Sequence, residues 1–338
     1  MTYGIRDHAR PSKAKDTSGA LEGIPPLKQL VSARDAYGRT LLDLGRENKD
    51  IVVLDADLST STKTGLFAAA FPERHFEMGI AEANMMGTAA GLASCGKIPF
   101  ASTFAVFATC RAFDQLRMSV AYPDLNVKVV ATHGGISVGE DGASHHAIED
   151  VSLACSLPNF TVIVVADAKQ AEETVRAVAE HMGPVYVRLT RPSVPAVYEE
   201  VCNFVIGKAI NLREGHDATI IANGLMVSRA LEAASLLSAE GISTRVLDMH
   251  TVKPLDTLAV RDAAADTGAI VTAEEHLLHG GLGSVVSQTV SEHHPVPMRF
   301  VGIRDRYARS GKPDELLVLY GLTPQDIVDA VKEVVNEK

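Results

Sequence analysis

Residues 78–93 read MGIAEANMMGTAAGLA, and their spacing predicts a helix with one acidic side chain among small and apolar ones. On a helix, Met85, Met86 and Ala89 share the face of Glu82. No Lys or Arg lies within a helical turn of Glu82. Burying an unpaired charge on such a face costs on the order of several kcal/mol unless the group becomes neutral or finds a partner. Two interpretations stay open: Glu82 marks an exposed helix start, where the helix dipole favours acids, or it is a functional acid.

Apolar runs alternate with helix-like stretches on both sides of this helix. The runs that predict strands are DIVVLDADL, KIPFAST, NVKVVAT, FTVIVVAD and PVYVRLT, at residues 50–58, 97–103, 126–132, 160–167 and 184–190. The helical stretches include AVFATCRAFDQLRMSVAY at 105–122 and AKQAEETVRAVAEH at 168–181. Strands that are apolar throughout and alternate with helices are typical of a parallel sheet covered on both faces. The predicted fold class is therefore α/β.

A loose stretch, RPSVPAVYEEVCNF at 191–204, divides the chain into two units, each predicted as a mostly parallel sheet flanked by helices. We predict domains at 28–195 and 205–338, preceded by a polar arm at 1–27. In the second unit, HGGLGS at 279–284 lacks the spacing of a phosphate-binding fingerprint and predicts a tight helix entry instead.

The composition excludes several classes of function. The net charge is −10, which argues against nucleic acid or an anionic membrane as the main partner. No run approaches the roughly 18 apolar residues that a membrane span needs. The four cysteines show no CxxC spacing, so neither a disulfide framework nor a zinc site is indicated, and a reducing cytoplasm is expected.

Phe104 and Phe107 are three residues apart at the start of a predicted helix, so their rings share one face. Core packing is the simpler interpretation from these residues alone. The alternative is a pair of rings that grips a flat heterocycle by stacking.

The segment ATHGGISVGEDGASHHAIED at 131–150 concentrates glycines, histidines and acids directly after a predicted strand. Glycines permit sharp turns, and histidines near carboxylates exchange protons near neutral pH. A metal site formed by His133, Asp141 and His145 is the rival interpretation, although no HxxxH or HExxH spacing accompanies it. A plain solvated loop is a third.

Arg34 and Arg191 stand beside a predicted helix start and just after a predicted strand. Either residue could be an ordinary surface charge. Together they are what a phosphorylated substrate requires, because Arg makes forked contacts to phosphate.

Three motifs in order make a family resemblance specific: GIAEANMMGTAAGLASCGKIPFASTFAVF at 79–107, THGGISVGEDGASHHAIED at 132–150 and GPVYVRLTRP at 183–192. They resemble the pyrimidine-binding and C-terminal domains of transketolase. The chain lacks the GDG…N motif that holds the cofactor's diphosphate and magnesium in transketolases built as one long chain. It therefore resembles the C-terminal subunit of a split transketolase.

The resemblance implies transfer of a two-carbon ketol unit from a ketose phosphate to an aldose phosphate. The implied cofactor is thiamine diphosphate, with magnesium held mainly by an N-terminal partner subunit that carries GDG…N. Two copies of each chain, an α2β2 assembly, are the expected form. We also expect the helix face of Met85 and Met86 to contact another subunit and to be exposed in the isolated chain.

The family's cofactor roles fall on four positions. By resemblance, Glu82 hydrogen-bonds a pyrimidine nitrogen of thiamine diphosphate, so that the cofactor is its missing partner. Phe107 stacks on the pyrimidine with Phe104 beside it, and Asp57 lies near the cofactor. Where many transketolases have a third aromatic, this chain has Cys110, which loosens the predicted pocket.

The family's substrate roles fall on six positions. By resemblance, a first group holds the sugar phosphate and a second contacts substrate hydroxyls, its histidines also assisting proton transfer. The groups are Arg34, Ser61 and Arg191, and His133, Asp141 and His145. The resemblance thus gives Glu82, His145 and His133 as catalytic residues and no metal ligand in this chain.

Other interpretations remain at this point. A deoxyxylulose phosphate synthase or the β subunit of a 2-oxoacid dehydrogenase shares the cofactor class, and a non-catalytic regulatory relative is a different class. The GEDGxxH loop, here GEDGASH, and Arg191 favour transketolase over the dehydrogenase, whose substrates lack a phosphate.

Overall fold

The predicted alternation of strands and helices is present in the computed structural model, which describes residues 29–200 and 202–338. The arm predicted at 1–27 lies outside the described residues. The strands are β1 (Leu30–Val31), β2 (Ile51–Asp55), β3 (His75–Glu77), β4 (Ile98–Phe104), β5 (Lys128–Thr132), β6 (Thr161–Val164), β7 (Val185–Arg188), β8 (Val194–Pro195), β9 (Ile210–Arg213), β10 (Ala218–Ala222), β11 (Thr244–Asp248), β12 (Thr251–Lys253), β13 (Ile270–Leu277) and β14 (Met298–Ile303).

Helices cover both faces of the sheets. They are α1 (Ala33–Glu47), α2 (Ser59–Thr62), α3 (Gly65–Ala70), α4 (Glu82–Ser94), α5 (Phe113–Gln115), α6 (Asp150–Cys155), α7 (Ala168–Glu180), α8 (Met226–Ala239), α9 (Thr257–Thr267), α10 (Leu282–His293), α11 (Pro313–Leu319) and α12 (Pro324–Val335). Short 3₁₀ turns lie at Pro72–Arg74 and Ile136–Val138, and π-helical segments at Phe107–Arg111 and Leu116–Ala121.

The first domain is built on a seven-stranded sheet in the order β12-β6-β7-β5-β4-β2-β3. Its strands are parallel except β12, which comes from the second half of the chain and pairs antiparallel with β6. Every residue of β2, β5, β6 and β7 is buried, which is why these strands read as continuous apolar runs.

The second domain is built on a five-stranded sheet in the order β14-β13-β10-β11-β9, parallel except β9. Strands β1 and β8 form a separate antiparallel pair. Two mostly parallel sheets flanked by helices confirm the predicted fold class.

Residues 105–122 are helical as predicted, but most of the segment is π-helix and not α-helix. Two π-helical segments, Phe107–Arg111 and Leu116–Ala121, flank the three-residue α5. Residues four apart share a face in a wide or an ordinary helix, so hydrophobic spacing alone does not separate the two. π turns are rare and occur mostly at functional sites.

The expectation that Met85 and Met86 face another subunit is wrong. Both side chains are fully buried and belong to the same core cluster as Leu54, Ala101 and Ala89. Helix α4 thus turns this apolar face to the sheet of its own domain. Within residues 29–200 and 202–338, no helix is long and apolar enough to cross a bilayer.

Candidate active site

The predicted site residues cluster where adjacent parallel strands end. Phe104 is the last residue of β4, His133 directly follows β5, and Arg191 lies three residues after β7. Strands β7, β5 and β4 are neighbours in the sheet, so their carboxyl ends bring these residues to one edge. Ligands of open α/β sheets bind at this edge.

Four rings form a stack at this edge. The rings of Phe104 and Phe107 are nearly parallel, at 18° and with centroids 5.7 Å apart. The imidazole of His133 stacks on Phe104, at 3.7 Å between centroids and 22°. His145 meets Phe107 edge-on at 5.2 Å. Such offset and edge-to-face contacts are favourable arrangements of rings and give the site a flat, apolar wall.

Glu82 is the first residue of α4 and is 4% exposed. Contrary to the expectation of an unpaired carboxylate, Arg111 Nη1 donates to Glu82 Oε1 at 3.1 Å. The guanidinium carbon of Arg111 also lies 4.0 Å from the centre of the Phe107 ring, a cation–π distance. The Arg111 side chain is half exposed, whereas the Glu82 side chain is buried, so solvent reaches only one member of the pair.

Arg34 connects two of the predicted substrate residues through their backbones. Its Nη1 donates to the carbonyl of Ser61 at 2.9 Å, and its Nη2 donates to the carbonyl of Arg191 at 2.8 Å. Burial, the largest effect, together with the nearby Arg191 charge, lowers the pKa of Arg34 despite the opposing charge of Asp35. Arg34 thus fixes the positions of the loops that carry Ser61 and Arg191.

The guanidinium of Arg191 donates to the carbonyl of Val138 and lies 3.7 Å from Glu140 Oε2 and 3.8 Å from Asp141 Oδ2. These two carboxylates are beyond hydrogen-bonding distance and are solvated. Asp141 therefore lies beside Arg191, as predicted for the site, and the guanidinium keeps its capacity to bind an anion.

His133 is held in an unusual backbone conformation, with a φ of 61°. Burial lowers the pKa of His133 to about 3, and the charges of Arg34, Arg191 and His145 act in the same direction. The imidazole is therefore neutral near pH 7. Its Nδ1 pairs with Thr132 Oγ1 at 2.8 Å, which leaves Nε2 for another partner.

The two histidines at 145 and 146 have different surroundings. His145 is half-buried, and its Nδ1 pairs with Ser144 Oγ at 2.9 Å. The buried His146 pairs through Nε2 with the carbonyl of Gly139 at 3.0 Å and closes its own loop. His145 is thus the one beside the ring stack, and His146 supports it.

Among the described residues, the contacts of Asp57 are with Glu77 and not with the ring stack or the arginines. Asp57 sits after β2 with a φ of 62°, and its N–H donates to Glu77 Oε1 at 2.7 Å. The same carboxylate oxygen accepts the N–H of Gly79 at 3.0 Å. Glu77 therefore shapes the turn of Asp57 and the chain that leads to Glu82.

Within the described ranges, no three His, Cys, Asp or Glu side chains are grouped as the ligands of a metal ion would be. His133, Asp141 and His145 are thus not arranged as the alternative metal site. Their neighbours are aromatic rings and guanidinium groups instead.

The residues present fit the flat half of a cofactor such as thiamine diphosphate. Arg111 joins the buried carboxylate of Glu82 to the nearly parallel rings of Phe107 and Phe104, because it pairs with the first and lies over the Phe107 ring. This donor set suits an aromatic heterocycle with a basic nitrogen. Among the described residues, no three His, Cys, Asp or Glu side chains are grouped to hold the metal ion that accompanies a diphosphate.

Sequence reasoning missed Arg111. Its distance from Glu82 along the chain, 29 residues, hides the ion pair from any local pattern. The available signal was its spacing of four residues from Phe107, which predicts a shared helix face.

Two protein-family models match consecutive parts of the chain. The model for the pyrimidine binding domain of transketolase matches residues 29–197. The model for the C-terminal domain of transketolase matches residues 207–327.

Individual proteins match across both parts. A solved structure described as a split gene transketolase, inactive β4 tetramer, is 54% identical with a TM-score of 0.85, over 90% of this chain and 99% of that one. The 6-deoxy-6-sulfo-D-fructose transketolase subunit SqwH of Clostridium sp. (strain MSTE9) is 44% identical over 90% of this chain and 95% of its own length. Transketolase-like protein 2 of Mus musculus is 41% identical over 98% of this chain but 53% of its own length.

Proposed function

This chain belongs to the transketolase family as a C-terminal subunit, and from that premise we propose that it transfers a two-carbon ketol unit from a ketose phosphate to an aldose phosphate. The observation that carries the proposal is the buried carboxylate of Glu82 beside the ring stack, with two arginines at the same sheet edge.

The family implies the use of thiamine diphosphate, which when bound supplies the carbon nucleophile that accepts the two-carbon unit. In the proposal, Glu82 binds a nitrogen of the pyrimidine, and Phe107 and Phe104 hold its flat face. Asp57 lies at the neighbouring strand end. In the structure, Arg111 pairs with the Glu82 carboxylate and covers a face of the Phe107 ring. When the pyrimidine binds, the half-exposed Arg111 side chain therefore has to move away or stack on the pyrimidine.

The substrate interacts with the remaining polar groups of the edge. Arg191, supported by Arg34 and the chain at Ser61, binds the terminal phosphate through charge-assisted hydrogen bonds. His133 presents a neutral imidazole whose Nε2 is free to exchange a hydrogen bond or a proton with a substrate hydroxyl.

His145 lies edge-on to the Phe107 ring, and because its Nδ1 is paired with Ser144, its Nε2 is the nitrogen that faces the substrate in the proposal. Asp141 lies beside Arg191 and orients a substrate hydroxyl. His133 and His145 are thus the proposed proton carriers, with Glu82 as the third catalytic residue.

The diphosphate and magnesium are assigned to an N-terminal partner subunit that carries GDG…N. Support comes from the mouse relative, of which this chain matches about half, and from the solved relative described as inactive when built of β chains alone. We further propose that two copies of each chain form an α2β2 assembly in the cytoplasm. The four free cysteines fit a reducing compartment.

The test is to purify the chain alone and then with the GDG-bearing partner, and to assay ketol transfer with thiamine diphosphate and magnesium present. We expect activity only in the mixture, with saturation at a 1:1 ratio. Full activity from the isolated chain would refute the partner assignment.

A Glu82→Ala variant in the same mixture separates assembly from chemistry. We expect it to assemble normally and to lose nearly all turnover, together with deuterium exchange at the reactive carbon of the bound cofactor. Exchange at the wild-type rate would show that Glu82 is only structural.

A further inference from the structure

We propose that Glu275, in the second domain, is a positioning residue for the loop at 133–146, which carries His133, Asp141 and His145. The inference rests on the proposed function of that loop. None of the predicted site residues belongs to the second domain, so this assigns that domain a part in the reaction.

Glu275 lies on β13, and its side chain crosses from the second domain to the first. Its Oε1 accepts the backbone N–H of Ser137 at 2.6 Å. Ser137 is the middle residue of the 3₁₀ turn Ile136–Val138, at the centre of the loop. Both residues are almost fully buried, so the hydrogen bond is strengthened by the absence of competing water.

The loop lies directly on this carboxylate. Gly135 has a φ of 84°, and a Cβ at that position would lie 2.1 Å from the Glu275 carboxyl carbon. A Cβ at Gly134 would lie 2.1 Å from Arg188 Nε. Only glycine permits both this conformation and this approach, so the two glycines after His133 are shaped to fit the charged groups beneath them.

Arg188 ties the second domain to both ends of the loop. Its Nη2 donates to the carbonyl of Glu275 at 2.9 Å and to the carbonyl of Ala147 at 3.1 Å. Its Nε lies 3.0 Å from Asp150 Oδ2. Ala147 in turn accepts the N–H of Gly135 at 2.8 Å. The Ala147 carbonyl therefore joins the start of the loop, through Gly135, to the Arg188 guanidinium.

A shift of the backbone at Ser137 would move the next two residues, which are hydrogen-bonded to side chains of the proposed substrate site or to their neighbours. The next residue, Val138, accepts a hydrogen bond from the Arg191 guanidinium. Gly139 accepts one from His146, the neighbour of His145. Glu275 thus controls the position of groups on both sides of the proposed substrate without touching the substrate itself.

The neighbouring Glu274 provides a matched control. It is equally buried on the same strand, and burial raises the pKa of both carboxyl groups. Its oxygens accept the N–H groups of Leu282 and Gly283 at 2.7 and 2.8 Å, at the start of α10 within its own domain. It shares the burial and charge of Glu275 but holds a helix end instead of the loop.

The first measurement is amide hydrogen exchange on the full chain alone, which needs neither partner nor activity. In Glu275→Ala we expect exchange at 135–139 to rise by about tenfold or more, because the loop loses its buried acceptor. Glu275→Gln keeps an oxygen for the Ser137 N–H and should remain close to wild type. Glu274→Ala should raise exchange at the start of α10 and leave the loop unchanged.

The second measurement is steady-state kinetics of the mixture with the partner subunit. For Glu275→Ala we expect the KM for the ketose phosphate to rise by about 10- to 100-fold, with cofactor affinity retained, since small displacements of positioning groups have effects of this size. Glu275→Gln should restore most of the lost affinity.

Wild-type loop exchange in Glu275→Ala, or an equal loop effect in Glu274→Ala, would overturn the inference while leaving the proposed function intact. Increased loop exchange without transketolase activity in any variant would instead overturn the proposed function. Should Glu275→Ala not fold, Gly135→Ala disturbs the same contact from the first domain and should raise the same exchange and the same KM.

Discussion

Arg34 and Arg191 meet through a backbone carbonyl and not through their charges. Two nitrogens of Arg34 donate hydrogen bonds to the carbonyls of Ser61 and Arg191, so replacing Arg34 would release two loops at once. Arg191 instead lies 3.7 and 3.8 Å from the exposed carboxylates of Glu140 and Asp141. Neither carboxylate is hydrogen-bonded to the guanidinium, so in the proposal phosphate recognition depends mainly on Arg191.

Arg191→Ala should raise the KM for a ketose phosphate by about 10- to 1,000-fold through loss of charge-assisted bonding. Hydroxypyruvate, a donor without phosphate, should be affected far less. Steady-state kinetics of the mixture with the partner subunit measure both. Arg176→Ala is a matched control, because Arg176 is similarly exposed (39% against 37%) and pairs with Glu47 away from the site. Equal losses on both donors would contradict the phosphate assignment.

Single residues also show what sequence reasoning can and cannot predict. Glu82 has no cation near it along the chain, which makes it a candidate functional acid, and its side chain is buried at the sheet edge. Its ionic partner, Arg111, becomes a neighbour only when α4 and the π-helical segment pack together. The contact between Glu275 and Ser137 is still more distant, at 138 residues, and follows from the packing of two domains.

At the scale of elements, α4 packs its methionine face into the first domain and leaves a face of small residues outward. A Cβ at Gly87 or Gly91 would meet nothing within 4 Å. The periodicity of α4 predicts one apolar stripe, and the stripe is buried, but against the sheet of its own domain and not against another subunit. Periodicity reveals that a face is buried and not what buries it.

Met85→Ala should therefore lower the free energy of unfolding of the isolated chain by about 2–5 kcal/mol, the usual effect of removing a buried large side chain. Asn84→Ala on the exposed side of the same helix should change it by about 0.5 kcal/mol or less. Urea denaturation of both variants, without any partner, provides the comparison. An unchanged Met85→Ala variant would place that side chain outside the core after all.

Buried parallel strands were predictable because they need long apolar runs, and β2, β4, β5, β6 and β7 of the first sheet lie at the predicted runs. The short antiparallel edge strand β12 carries no such run: Thr251, Val252 and Lys253 resemble an ordinary connection. Its pairing depends on where the second domain docks, which is a property of tertiary packing.

At the scale of the whole molecule, the domains and the segment between them share a buried carboxylate. Asp248 of β11 accepts Gln170 Nε2 at 2.7 Å, from α7 of the first domain, and the Tyr198 hydroxyl at 2.6 Å. Burial raises the pKa of Asp248 to about 7 despite these two donors, and the charge of Asp167 acts in the same direction.

This carboxyl makes stability depend on pH. Because its folded-state pKa lies above the ordinary value, the folded chain binds the proton more tightly, so this contribution is complete below about pH 4 and is lost as the pH rises towards 7. Asp248→Asn keeps an oxygen acceptor and removes the titration. We expect it to flatten the unfolding free energy between pH 4 and 7 by up to about 1.4 kcal/mol per pH unit.

Denaturation curves across that pH range measure the slope, and Asp262→Asn on the exposed surface of α9 should leave it unchanged. Part of the slope should survive in Asp248→Asn, because burial also raises the pKa of Asp55 to about 6 and of Glu274 to about 7. An identical slope in wild type and Asp248→Asn would contradict the assignment.

Strand β12, which comes from the second half of the chain, completes the first sheet, and this pairing limits how the two domains can be exchanged between genes. A gene fission, or a recombination that exchanges one domain for that of a relative, would leave β6 as an open strand edge, which is prone to pair with other chains. The incoming domain would have to supply three residues that fit a foreign sheet, as well as a carboxylate at the place of Glu275. Exchange of one domain alone would therefore have to preserve both contacts.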